Sequence, residues 1–129
     1  TEFILPLANQ VIEILKEVQQ FTGTGKYVFP SFTKKDKPMS DNTLIGALRR
    51  MGYTKEEFVP HSFRAMFSTI AYENMNEHQC SGEVIEALLA HKETNKVKEA
   101  YNRATYKQGM KKLIDWYSNH LTFIVQIKI

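Results

Sequence analysis

The chain has 129 residues, of which 43% are hydrophobic and 24% are charged, with a formal net charge of +3 at pH 7. This length fits one domain with its own hydrophobic core, and no apolar run approaches the roughly 20 residues of a membrane helix. The single cysteine, Cys80, excludes an internal disulfide bond and fits a reducing compartment. We therefore expect a cytoplasmic protein with no membrane partner.

The first half of the chain predicts a short β element followed by two helices. "TEFILPL", residues 1–7, predicts a strand whose hairpin partner would lie upstream. A helix follows and ends at the glycines of "FTGTGKYVF", and residues 31–38 have the composition of a loop. Ser40 or Asp41 can cap a second helix, which Gly52 closes. The apolar faces that define these helices are Val11, Ile14, Leu15 and Val18, then Leu44, Ile45, Leu48 and Met51.

The second half predicts further helices separated by polar breaks. "TKEE" has the capping-box order, and a helix with Phe63, Phe67 and Ile70 on its core side follows. After the break "ENMNEHQCSG", a helix capped by Ser81 ends near His91, and after "HKETN" another helix passes through Tyr101. A last helix is predicted by Met110, Leu113, Ile114, Tyr117 and Leu121. "TFIVQIKI", residues 122–129, predicts a strand-prone apolar tail, so the fold class is mainly α with a small β element at the N-terminus.

His61 and Arg64 stand three residues apart at the predicted start of a helix, directly after Pro60. Positions with this spacing are neighbours on a helix surface, and the amino end of a helix already attracts anions. The pair therefore predicts an anion site, in which the arginine fork would bind phosphate oxygens. The ordinary alternative is a surface histidine and an arginine paired with a nearby carboxylate.

His91 and Tyr101 each have an ordinary structural explanation. A cationic histidine at the carboxyl end of a helix is favourable without any function. A helical tyrosine with Val97 one turn before it is commonly a core residue. A phenol has a pKa of about 10, so a nucleophilic tyrosine needs cationic neighbours or a base.

The sequence has no standard metal-binding motif, but it has two clusters of basic residues. His78 and Cys80 are the only close ligand pair, and their spacing matches no usual zinc motif, so no metal and no cofactor are expected. Basic clusters often meet phosphate backbones, although most are solvated faces. The clusters are Lys34, Lys35 and Lys37, and then Lys92, Lys96, Lys98, Arg103, Lys107, Lys111 and Lys112.

Taken together, "HSFR", "LLAH" and "KVKEAYNRA" resemble the tyrosine recombinases, also called phage integrases. Longer segments are similar in sequence to integrases from prophages and genomic islands, in the same order from about Phe3 to Tyr117. These segments are "YVFPS", "MSDNTLIGALRRMGY", "PHSFRAMFSTIA" and "LLAHKETNKVKEAYNRATY". The resemblance implies the DNA breaking-rejoining fold of the recombinase catalytic domain. It also implies double-stranded DNA attachment sites as partners, a nucleoid-associated bacterial protein, and a tetramer of the full-length parent on two duplexes.

The same resemblance implies roles for four residues. The hydroxyl of Tyr101 would attack the scissile phosphate, forming a 3′-phosphotyrosyl bond and a free 5′-hydroxyl without ATP or metal. Arg64 would hold the non-bridging oxygens as charge develops. His61 would assist proton movement, and His91 would hydrogen-bond the phosphate. Supporting contacts with the DNA backbone are expected from Lys92, Lys96, Lys98 and Arg103.

The family also has an arginine and a lysine acid upstream of the "TEFILPL" region, and neither position occurs in these 129 residues. We therefore expect residues 1–121 to be the carboxy-terminal portion of an integrase catalytic domain, with 122–129 as a tail, and the fragment by itself to be inactive. Two alternatives remain at this point. The chain could be a non-catalytic DNA-binding remnant, or a helical protein-interaction domain with a coincidental basic face.

Overall fold

The computed structural model describes residues 3–90 and 96–127, and the side chains of residues 3–90 and 106–126. The described chain is mainly helical, as the sequence predicts, and none of its helices is long and apolar enough to cross a membrane. The six helices are α1 (Asn9–Thr22), α2 (Asp41–Arg50), α3 (Ser62–Glu73), α4 (Met75–His78), α5 (Gly82–Leu88) and α6 (Lys96–Ile127).

The β element predicted at residues 1–7 is not formed in residues 3–7, the part that is described. A strand is stabilised by hydrogen bonds to a neighbouring strand, and the described residues supply no such neighbour for this segment. The only β pairing in the described chain is an isolated antiparallel bridge between Pro30 and Pro38. The apolar composition of residues 3–7 was therefore insufficient to predict a strand.

The carboxyl end differs from the prediction in a second way. The two helices expected around Tyr101 and Leu113 form one continuous helix, α6, which extends to Ile127. The strand-prone tail predicted from residue 122 was thus wrong for residues 122–127, which continue the helix. Each helical residue adds a hydrogen bond to an existing ladder, and this local gain needs no partner strand.

The chain divides into two compact units, of which unit 1 combines Thr1–Gln10 with Arg64–Ile129. Its hydrophobic core forms mainly where α5 packs against α6. Phe67 and Tyr117 pack edge to face beside this core, with ring centroids 4.9 Å apart, and burial raises the pKa of Tyr117. The buried core residues are Ala71, Cys80, Val84, Ile85, Leu88, Leu89, Met110 and Leu113.

Gly109 lets α6 approach α5 closely. A Cβ atom at this position would lie 2.9 Å from Cγ2 of Val84, closer than real Cβ atoms approach a neighbour. Val84 is buried and β-branched, so its side chain has one strongly preferred rotamer in a helix and little room to turn away. The absence of a side chain at residue 109 is thus a packing requirement, although glycine weakens a helix interior.

We expect Gly109→Ala to destabilise the protein by roughly 1 kcal/mol, measured as the free energy of unfolding in urea. Overpacking costs about 1–3 kcal/mol, and the better helix propensity of alanine offsets up to about 1 kcal/mol of this. Gly46→Ala in α2 is the matched control, because a Cβ there would meet only the flexible end of Arg50, at 3.2 Å. Equal stabilisation by both substitutions would contradict the packing role of Gly109.

Unit 2 comprises Val11–Phe63 and is ordered by hydrogen bonds at the ends of its helices. The Arg49 guanidinium Nη1 donates to the carbonyl oxygens of Tyr53, at 2.6 Å, and of Phe58, at 3.0 Å. Gly52 has a φ of 97°, which confirms its predicted role in ending α2. The Thr54 N–H donates a hydrogen bond to the Glu57 carboxylate at 2.8 Å, and this bond lowers the pKa of Glu57. It is one of the two hydrogen bonds of a capping box, but here it stabilises a turn and not the start of a helix.

The predicted apolar faces of α1 and α2 are present but only partly covered. No residue of α1 is buried, and in α2 only Leu48 is. Ile14 on α1 and Leu44 on α2 are exposed, together with Phe21 and Met51. The period of apolar residues therefore predicted both helices correctly. The apolar side chains of these helices are less buried in the described structure than such a pattern normally indicates.

Candidate active site

Arg64 lies in the first turn of α3 and is bound to the carboxyl end of α5. Its guanidinium Nη2 donates a hydrogen bond to the carbonyl oxygen of Leu89. Leu89 caps α5, and Ala90 after it has a left-handed φ of 53°. The carboxyl end of a helix carries partial negative charge, so a cation is favoured there. The sequence left open that Arg64 is an ordinary surface arginine paired with a carboxylate. Among the described residues, however, Arg64 contacts a carbonyl and no acidic side chain.

This contact leaves most of the guanidinium available for other hydrogen bonds. Arginine has five N–H donors in a planar fork, and the bond to Leu89 uses one of the two Nη atoms. Arg64 is half-buried, so packing restricts the side chain while part of it reaches solvent. A half-buried, oriented guanidinium with donors that no described residue occupies is suited to bind a tetrahedral oxyanion.

His61 lies just before α3, which begins at Ser62, and its side chain is exposed. The turn that precedes the helix is held by the Ser62 hydroxyl, which accepts a hydrogen bond from the Val59 N–H at 3.1 Å. His61 belongs to unit 2 and Arg64 to unit 1. The imidazole makes no side-chain hydrogen bond within the described part of the chain, so its nitrogens are available to a ligand.

The remaining predicted site residues fall outside the described side chains. His91 and Lys92 lie in the segment 91–95, which is not described. Tyr101 lies in α6, where its backbone is described and its side chain is not. The side chains of the predicted DNA contacts in this helix are also not described, namely Lys96, Lys98 and Arg103. The convergence of His61, Arg64, His91 and Tyr101 on one surface stays a prediction.

Other tyrosines are engaged in ways that do not suit a nucleophile. The Tyr72 hydroxyl donates to the Glu86 carboxylate at 2.5 Å, and this bond raises the pKa of the phenol. The Tyr106 hydroxyl donates to Glu83 at 2.6 Å. The raised pKa disfavours the phenolate form of Tyr72, and burial has the same effect on Tyr117.

His78 and Cys80, which the sequence suggested only as an unsuitable metal pair, are structural. His78 is 2% exposed, its Nε2 lies 2.7 Å from the Ala71 carbonyl oxygen, and its Nδ1 accepts a hydrogen bond from the Cys80 N–H at 3.0 Å. Both ring nitrogens are therefore occupied, and burial raises the pKa of the Cys80 thiol. The described residues contain no group of three side chains that could hold a metal ion.

The described lysines of the carboxyl-terminal cluster differ in their surroundings. Lys111 donates to the Leu7 carbonyl oxygen at 3.0 Å and to Asp115 at 2.6 Å, so it ties the amino-terminal segment of unit 1 to α6. Lys107 and Lys112 are exposed on the same helix. The sequence did not reveal this difference, because the Leu7 contact joins residues that are far apart in the chain.

The chain matches the model of a known protein family over most of its length. The model of the phage integrase family matches residues 1–108. The chain belongs to the phage integrase family. This confirms the resemblance inferred from the His-x-x-Arg, Leu-Leu-Ala-His and tyrosine-containing segments. No solved structure gives a significant match.

Individual integrases are similar over most of the chain. Prophage integrase IntA of Escherichia coli K12 is 33% identical over 115 residues, and the integrase of Shigella phage Sf6 is 33% identical over 119 residues. The integrase of enterobacteria phage P4 is 34% identical over 122 residues. These matches cover 89%, 92% and 93% of this chain but only 27%, 30% and 27% of the relatives. The chain thus spans less than a third of the length of these integrases.

Proposed function

We propose that this chain is the part of a site-specific DNA recombinase that carries the nucleophile and most of the phosphate-binding groups. The observation that carries the proposal is the Arg64 guanidinium, half-buried, bound to a helix end and unpaired with any described carboxylate. Such a group supplies oriented positive charge where a phosphoryl-transfer transition state builds negative charge. Membership of the integrase family supports DNA as the substrate, and double-stranded DNA is the form proposed here.

In the proposed reaction, the Tyr101 oxygen attacks the phosphorus of a DNA phosphodiester. A 3′-phosphotyrosyl bond forms and the phenolic proton passes to a base. The bond from phosphorus to the 5′-oxygen breaks, and the leaving oxygen takes up a proton from a general acid, the lysine that the family places upstream, to give a 5′-hydroxyl. A 5′-hydroxyl of a partner duplex reverses the step and restores the phosphodiester. Arg64 binds the non-bridging oxygens, His61 assists proton movement, and His91 donates to the phosphate.

By the same proposal, the 129-residue chain alone cleaves DNA little or not at all. Its first basic residue is Lys16, so the arginine and lysine that the family places upstream are not among these residues. Losing one preorganised donor costs about 2.7–4 kcal/mol of transition-state stabilisation, and general acid catalysis contributes about 10²–10⁴-fold. The parent recombinase would assemble as a tetramer on two duplexes and act at the bacterial nucleoid.

The proposal is tested with a nicked suicide duplex that traps the covalent intermediate. A longer integrase that contains these 129 residues is incubated with DNA carrying its attachment site, and the products are resolved on a denaturing gel. A protein–DNA band that resists denaturation and disappears after protease treatment supports the proposal. Recombination without such a band would exclude a phosphotyrosyl mechanism.

A second expected result separates the chain from a protein-interaction domain. The 129-residue chain should bind duplex DNA weakly, without sequence preference and with steep salt dependence, because lysine and arginine contacts to phosphate release counterions. Fluorescence anisotropy with labelled duplexes of different sequence, titrated over a range of salt concentrations, measures both properties. Tight, sequence-selective binding at physiological salt, or no binding even at low salt, would contradict this expectation.

A further inference from the structure

The loop between Pro30 and Pro38 is an ordered, exposed element of unit 2, and we call residues 31–37 the lysine loop. Its two ends meet at the Pro30–Pro38 bridge. The Ser31 N–H donates to the Lys37 carbonyl oxygen at 2.7 Å, and the Met39 N–H donates to the Phe29 carbonyl oxygen at 2.9 Å. Inside the loop, the Lys37 N–H donates to the Lys34 carbonyl oxygen at 3.0 Å. These backbone bonds fix the conformation from which the side chains project.

The lysine loop concentrates positive charge that no described residue outside the loop neutralises. Lys34, Lys35 and Lys37 face a single acidic residue, Asp36, so the loop carries a net charge of +2 within seven residues. All four side chains are exposed. Among the described residues no ion pair engages any of the three lysines. Three neighbouring ammonium groups without internal partners attract an extended anion.

Phe32 is the second unusual feature of this loop. Its phenyl ring is fully exposed, although it stands on a backbone held by hydrogen bonds on both sides. Leaving a phenylalanine in water forgoes about 1.5–3 kcal/mol of burial free energy. The same loop therefore carries an exposed aromatic ring and three lysines that pair with no described residue, a combination that fits a ligand with both anionic and apolar surfaces.

We propose that the lysine loop is a DNA-contacting element, in which the lysines bind backbone phosphates and Phe32 enters a groove against the bases. This inference depends on the proposed function, because it assumes that the chain binds duplex DNA. DNA fits the loop better than an acidic protein surface does. Its phosphates repeat at short, regular intervals and could meet all three ammonium groups, and apolar side chains such as phenylalanine insert between base steps of a duplex.

Two variants of the full 129-residue chain test the two contacts separately on a short random-sequence duplex. Changing Lys34, Lys35 and Lys37 together to glutamine should flatten the plot of log affinity against log salt by roughly 2–3 units, since each lost phosphate contact removes about 0.9. Phe32→Ala should leave this slope unchanged and weaken binding by roughly 5–100-fold, the range found when an aromatic residue that stacks on a base is removed.

Matched controls come from the same unit. Changing Lys16, Lys26 and Lys55 to glutamine removes the same charge elsewhere in unit 2, and should flatten the slope much less. Phe21→Ala removes another exposed phenyl ring, 85% accessible and on α1, and should leave affinity nearly unchanged. The altered side chains are exposed, and circular dichroism with thermal unfolding verifies that each variant remains folded.

The outcomes distinguish this inference from the proposed function. If the unaltered chain binds DNA and both loop variants bind equally well with the same slope, the loop is not a DNA contact, although the proposed function stands. Equal effects of the two lysine triples would also overturn the inference, because net charge alone would explain them. If the unaltered chain does not bind DNA even at low salt, both proposals fail.

Discussion

Replacing Tyr101 with phenylalanine, in a longer integrase that contains these residues, should abolish the covalent protein–DNA adduct. The substitution removes the oxygen that would form the bond to phosphorus and retains the aromatic ring. DNA affinity should therefore change by less than about twofold, since the phosphate contacts of lysine and arginine dominate binding. The adduct is measured with a nicked suicide duplex on a denaturing gel, and affinity is measured by anisotropy on the same DNA.

Tyr106→Phe is the matched control for this experiment, because Tyr106 lies five residues further along α6. Its hydroxyl bonds to Glu83, so the substitution should reduce stability by about 0.5–1.5 kcal/mol and leave adduct formation intact. Adduct formation by the Tyr101→Phe protein would exclude Tyr101 as the nucleophile. Loss of the adduct only in the Tyr106→Phe protein would assign this role to Tyr106.

Arg64→Ala should slow DNA cleavage by about 10²–10³-fold, which corresponds to the loss of one preorganised donor to the transition state. Arg64→Lys should recover only part of this rate, because a lysine retains the charge but not the planar fork. Single-turnover cleavage at saturating DNA measures the chemical step apart from binding. Urea unfolding of the same variants measures the separate cost of losing the hydrogen bond to Leu89.

Arg49→Ala provides the comparison that separates stability from chemistry. Arg49 also bonds to carbonyl oxygens, those of Tyr53 and Phe58, but it is not part of the predicted site. Both arginine variants should be less stable, and only Arg64→Ala should lose cleavage at a temperature where each protein remains folded. Wild-type cleavage by Arg64→Ala would show that the guanidinium is only a structural cap of α5.

The features that the sequence predicted well have local causes. The period of apolar residues predicted α1 and α2, and Gly52 at the end of α2 has the positive φ that favours glycine. The Glu57 carboxylate accepts the hydrogen bond from the Thr54 N–H that the capping-box pattern predicts. This bond could be predicted because its two residues are only three positions apart. His61 and Arg64 were selected by their spacing alone, and their roles at a ligand site stay predictions, with the first side chain exposed and the second half-buried.

The features that the sequence predicted poorly depend on distant parts of the chain. A strand at residues 3–7 needs a neighbour that no local pattern reveals. The sequence alone gives no reason for a glycine at position 109, which is explained by the close approach of Val84 to this point of α6. The Arg64–Leu89 hydrogen bond joins residues 25 positions apart, so no local pattern predicts it. The exposure of Phe32 could not be predicted either, because residues 31–38 have the composition of an ordinary loop.

The choice of a carbonyl partner for Arg64 has a consequence for ligand exchange. An arginine that is held by a carboxylate has an internal competitor, and an incoming phosphate must displace this anion before it can bind. The Leu89 carbonyl orients Arg64 without neutralising its charge, and no described residue forms an ion pair with this guanidinium. At the proposed site, a phosphate that binds Arg64 would therefore break no ion pair with a described residue.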